Sequence, residues 1–142
     1  MGTGQQPLSA RQARGEFHVT VTPQAAEPGI GDESIGRMAL SKQFHGELDA
    51  NATGQMLATR TATPGSAAYV ALDRVTGQLH GRSGGFSLQH AGTMDRGAPT
   101  LEIRIVPDSG TDELAGITGQ LRIRIEEGGR HFYELDYELP DA

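Results

Sequence analysis

The sequence predicts an all-β domain, an eight-stranded antiparallel barrel. Three observations lead there. Apolar and polar residues alternate with a period of two through most of the chain, as they do in strands with one buried face. Glycine makes up 20 of the 142 residues and proline seven, and both fall between the alternating segments rather than in a low-complexity tract. No segment carries the three-to-four-residue apolar spacing of a long helix.

Residues 1–14 are small, polar and arginine-containing, and read as a disordered arm ahead of one domain at 15–142. Phe17, Val19 and Val21 then alternate with Glu16, His18 and Thr20 to make the first strand, which Pro23 ends. Residues 23–34 form a loop long enough to act as a flap. A second strand spans about 35–49, with Met38, Leu40, Lys42, Phe44, Gly46 and Leu48 on one face. The segment DANATG reads as a turn, and 55–62 as the third strand. The fourth strand runs 67–80, with Gly77 a candidate bulge. Both of its faces are apolar: either Tyr69, Ala71, Asp73 and Val75 point inward, or Val70, Leu72 and Arg74 do. A turn at 82–85 leads to the fifth strand, marked by Phe86, Leu88, His90 and Met94. Leu101, Ile103 and Ile105 mark the sixth. PDSGTDELAG suits one short helical turn. Leu121, Ile123 and Ile125 make the seventh strand, a hairpin turn follows at 127–130, and Tyr133, Leu135, Tyr137 and Leu139 make the eighth. Eight antiparallel strands lose their exposed edges by closing, and such a barrel holds packed side chains or one small ligand.

Composition narrows the function. A net charge of −6 argues against an electrostatic grip on nucleic acid or anionic lipid. No apolar run is long enough for a transmembrane helix, so no membrane partner is expected. The opening residues lack the apolar stretch of a signal peptide, and the absence of cysteine suits a reducing compartment, so a cytoplasmic location is expected. The same absence excludes thiol catalysis and cysteine-zinc sites. There is no G-x-S-x-G elbow, no phosphate-binding loop and no dinucleotide fingerprint. The five histidines are scattered without a metal-binding spacing, so no metal is expected.

The stretch Ser109-Gly110-Thr111-Asp112-Glu113-Leu114-Ala115-Gly116-Ile117-Thr118-Gly119-Gln120-Leu121 resembles a glycine-rich segment of allene oxide cyclases and dirigent proteins. Further stretches, GEFHVTVTPQ (15–24), LSKQFHGELDA (40–50), GSAAYVALDRVTGQLHGRSGGFSLQHAGTM (65–94) and HFYELDYEL (131–139), are similar to a bacterial family, domain of unknown function 3224, grouped with allene oxide cyclase-like barrels. The resemblance implies a barrel with a central cavity, often oligomeric, whose relatives isomerise, cyclise or guide the coupling of small hydrophobic molecules without cofactors. It carries over no catalytic residue, because only the structural glycine segment aligns.

The residues themselves supply candidates. Lys42 is the single lysine in the chain and stands on an inward row. A lysine facing a barrel interior loses hydration unless a carboxylate compensates. His90 and Tyr133 share inward rows, and with Lys42 form the candidate proton-transfer set; Phe44, Tyr69, Asp73, Leu88 and Tyr137 are candidate ligand contacts. A single His or Tyr on an apolar face is more often a hydrogen-bonded core residue, and the alternative for Lys42 is a stem buried near the barrel mouth with its ammonium in water. The expected function is therefore a barrel that needs no cofactor, binds a small hydrophobic or amphipathic molecule, and isomerises or cyclises it. The alternatives are a lipocalin-like carrier and a filled structural barrel. Apolar residues on both faces of the fourth strand point to a homo-oligomer.

Overall fold

A computed structural model describes residues 8–140. Eight antiparallel strands close into one barrel in sequence order. They are β1 (Leu8–Gln24), β2 (Ile35–Phe44), β3 (Leu48–Arg60), β4 (Ala67–Leu79), β5 (Arg82–Asp95), β6 (Ala98–Ile105), β7 (Thr118–Glu126) and β8 (Arg130–Pro140). Two short 3₁₀ turns, Asp112–Leu114 and Glu127–Gly129, are the only helical pieces among the described residues, and none could cross a membrane.

Three sequence expectations are corrected. Residues 8–14 are not a disordered arm: they extend β1 and pair with β8 from Leu8↔Pro140 to Arg14↔Glu134, and Ala13 is fully buried. Barrel closure accounts for this, since β8 needs a partner along its whole second edge. Residues 1–7 lie outside the described residues. DANATG is not a turn but the first half of β3; the chain reverses at His45-Gly46-Glu47, where Gly46 takes φ +98°. Likewise 82–85 belongs to β5, and the reversal is the two-residue turn His80-Gly81, both with positive φ (+49° and +79°). Two smaller corrections follow from the pairing: Pro23 lies within β1 opposite Met38, and Gly77 holds its register between Ala50 and Gly84 without a bulge.

The two ends of the barrel differ. At one end residues 106–117 cross the opening, and Leu114 and Ile117 are both 1% exposed beneath it. Thr111 sews this segment to β5, its N–H donating to the Gly85 carbonyl at 2.9 Å. Phe17, Phe44, Leu48, Leu79, Phe86, Tyr133 and Leu135 fill the floor above this plug. Phe44 stacks on Phe17 at 5.5 Å and meets Tyr133 edge-on at 5.4 Å. At the other end the inward rows continue but the packing stops. Val21, Met94, Leu101 and Ile125 hold inward positions and are 43–64% exposed. This mouth is rimmed by the loops at 25–34, 61–66, 96–97 and 127–129.

The outside is also divided. Glu134 and Asp136 on β8 meet Arg122 and Arg124 on β7. Such exposed pairs contribute about 0.2–1 kcal/mol each.

Candidate functional site

Midway along β3 the inward row is Ala50, Ala52 and Gly54, all small. β3 lies between β2 and β4, so side chains from those two strands can meet across it. Lys42 stands beside Ala52 and Asp73 beside Gly54. Lys42 Nζ donates to Asp73 Oδ2 at 2.6 Å. From β5, His90 Nε2 reaches the same oxygen at 2.8 Å. All three side chains are buried, at 7%, 2% and 3% exposure. The fourth strand therefore turns its Ala71-Asp73-Val75 row inward, while Val70 and Leu72 face out.

The carboxylate fixes the protons. An ionised Asp73 can only accept, so His90 carries its proton on Nε2. The 3.5 Å approach of Lys42 Nζ to Nε2 is then a contact between two donors. Nδ1 is left as the imidazole nitrogen that can take a proton. Burial raises the Asp73 carboxyl pKa, but the His90 hydrogen bond and the Lys42 charge outweigh it, and the net shift is downward. Asp73 Oδ1 is buried with no hydrogen-bond partner among the described residues.

Gly54 makes this arrangement possible. A Cβ there would stand 2.3 Å from Asp73 Oδ1 and 2.2 Å from the Leu72 carbonyl oxygen. Gly54→Ala is expected to cost about 1–3 kcal/mol by overpacking. Urea unfolding checks it; an unchanged midpoint would show that the carboxylate does not occupy this space.

Above the cluster lies a cavity of about 300 Å³ whose walls are almost wholly apolar. Met56, Ala58, Tyr69, Gly92, Met94 and Leu101 line it. Gly92 is the inward neighbour of His90 on β5, so the cavity floor is one inward step above the imidazole. Tyr69 brings a hydroxyl to this lining, which also includes Thr59, Arg60, Thr93 and Thr100. Burial raises the Tyr69 hydroxyl pKa and the Asp73 charge adds to the rise, so the hydroxyl stays protonated at neutral pH. A larger open groove of about 760 Å³ lies elsewhere, over the seam where β6 and β7 share one bridge, Arg104↔Gln120. It is far more polar and does not include the cluster.

The structure thus brings Lys42, Asp73 and His90 together and puts Tyr69 on the cavity wall. It places the other candidates elsewhere. Phe44 and Leu88 are packed core, 2% and 0% exposed. Tyr133 straps the floor: its hydroxyl donates to the His45 carbonyl at 2.7 Å and accepts from the Leu48 N–H at 2.9 Å. Burial pushes its pKa up to about 12. Tyr133→Phe strands the buried Leu48 N–H and should cost about 1–3 kcal/mol in thermal or urea unfolding; no loss would mean the strap is idle. Tyr137 hydrogen-bonds His80 Nδ1, whose Nε2 stands 3.2 Å from Glu47 Oε2. That Glu47-His80-Tyr137 chain was not foreseen; the β2–β3 and β4–β5 turns create it, and both turns were misplaced in the sequence reading. Among the described residues no three His, Asp or Glu side chains cluster as metal ligands.

Residues 13–137 match the family described as "Protein of unknown function (DUF3224)". The chain belongs to this family. The DUF3224 barrel is similar to a solved structure from Shewanella oneidensis MR-1, itself a DUF3224 protein with unknown function. The two share 44% identity and a TM-score of 0.85, over 94% of this chain and 100% of that one. A comparison with curated proteins finds no match. The family assignment covers the cluster, the cavity and nearly the whole floor of this DUF3224 protein, and assigns none of them a role.

Proposed function

We propose that this barrel binds one small hydrophobic or amphipathic molecule in its mouth and moves a proton on it, as a cofactor-independent isomerase or cyclase. The observation that carries this reading is the buried Lys42-Asp73-His90 cluster one inward step below an apolar cavity. A volume of about 300 Å³ is at the lower end of small-molecule sites. Tyr69 can donate to the ligand's polar group, and His90 Nδ1 can take a proton and return it at another carbon. Such a shift moves one proton and one double bond within the ligand and needs no oxidant or reductant. Lys42 balances the charge of Asp73, and Asp73 holds the imidazole in one tautomer. A cysteine-free chain suits this role in the cytoplasm.

A second reading, a non-catalytic carrier, is favoured by one fact: the three cluster residues bond to each other and none lines the cavity itself. Native mass spectrometry of freshly purified protein tests both readings at once. A bound small molecule is expected; bare protein that also fails to take up decanol would contradict both. Deuterium uptake by the ligand in heavy water separates them. An isomerase exchanges a carbon-bound proton, and His90→Phe loses that exchange while binding persists. A carrier shows no exchange in either form.

A further inference from the structure

We infer that the outer face of β2, β3, β4 and β5 is the surface on which a second copy of this chain docks. The exposed apolar side chains fall into two groups. One rims the mouth. The other lies on the outside of the sheet, where Ile35, Leu57, Val70 and Leu72 are 46%, 47%, 53% and 59% exposed. Register makes them one patch. Leu57, Val70 and Ala91 stand side by side across three strands, and Gln55, Leu72 and Gln89 form the next row. Isolated exposed aliphatics need no explanation, but a contiguous row across a sheet does.

Charge points the same way. The outward positions within 35–43, 51–59, 68–76 and 85–93 include no aspartate or glutamate. They include two arginines, and both are turned onto backbone carbonyls. Arg37 donates to Ala25 at 3.0 Å and Arg74 to Ser109 at 2.9 Å. The opposite wall is dense in ion pairs, including Arg122 with Glu134 and Arg130 with Glu16. In a chain of net charge −6, an acid-free face is the one through which two copies meet with least repulsion.

The composition also favours a copy over an unlike partner. Aliphatic rows match aliphatic rows, and the amides of Gln55 and Gln89 both donate and accept, so the face complements itself about a two-fold axis.

Sedimentation and cross-linking test this. The wild-type protein should sediment at twice the chain mass. Leu72→Glu, which puts a carboxylate into the apolar face, should sediment at the chain mass with its circular dichroism unchanged. The chain has no cysteine, so any cross-link formed by Leu72→Cys joins two copies; a long, flexible bis-maleimide should cross-link it and leave Arg122→Cys uncross-linked. Should Leu72→Glu fail to fold, the Leu72→Cys result decides. Wild type at the chain mass, Leu72→Glu still at twice that mass, or Arg122→Cys cross-linking in place of Leu72→Cys would overturn the inference.

Discussion

Lys42→Met should destabilise the barrel by about 3–5 kcal/mol, because it removes the cation from a buried ion pair and leaves the anion behind. Asp73 has no route to solvent, with its side chain fully buried and Oδ1 already unpartnered among the described residues. The loss therefore comes less from the missing attraction than from the stranded carboxylate. Removing both charges should restore much of the stability. Lys42→Met combined with Asp73→Leu is expected to be more stable than Lys42→Met alone, although it frees the His90 donor. Urea unfolding of the single and double variants measures this coupling. A Lys42→Met variant within experimental error of wild type would mean that the ammonium is not the partner of Asp73.

The same pair sets a pH dependence. The folded Asp73 carboxyl has its pKa held below the ordinary aspartate value of about 3.9, so the folded state binds that proton less readily than the unfolded chain. Its contribution is complete above that value and fades as the pH falls through the lower folded pKa. Wild-type stability should drop more steeply below about pH 4 than that of the Asp73→Asn variant. Parallel curves would contradict the downward shift.

The second large effect is a gradient along the barrel. Phe86, fully buried on the floor, should lose about 3–5 kcal/mol as Phe86→Ala, since it leaves a cavity that its neighbours cannot close. Met94 occupies the same inward row of β5, eight residues on, yet is 43% exposed. Met94→Ala should cost well under half as much, because its side chain is only partly withdrawn from water. Unfolding free energies for Phe86→Ala and Met94→Ala compare the two ends directly. Equal costs would mean that the mouth is packed like the floor, and that no hollow exists for a ligand.

Alternation made much of this legible, and its failures share a cause. The inward rows of Phe17-Val19, Lys42-Phe44, Phe86-Leu88-His90 and Tyr133-Leu135-Tyr137 were readable because a strand with one buried face must alternate. DANATG and residues 82–85 were misread because small residues serve two purposes. In a turn they relax the backbone. On Ala52 and Gly54 they clear the space in which Lys42 meets Asp73, and at Gly84 they admit the Thr111 backbone, where a Cβ would stand 2.2 Å from its carbonyl oxygen. Period two also fixes the face of a side chain but not its height in the barrel. That is why Tyr133 and Tyr137 shared an inward row with the candidates yet sit in the floor. The ambiguity of β4 has its own reason: Val70 and Leu72 are apolar outward residues, on the face assigned above to a second copy.

The central claim is an open apolar mouth above a buried Lys42-Asp73-His90 cluster, and the methionines report on it. Met38, Met56 and Met94 all hold inward positions near the mouth, and the fourth, Met1, lies outside the described residues. NMR of protein ¹³C-labelled at methionine and histidine and titrated with decanol should shift the Met56 and Met94 methyl signals together with the His90 ring. Saturating decanol that leaves those signals in place would contradict the account.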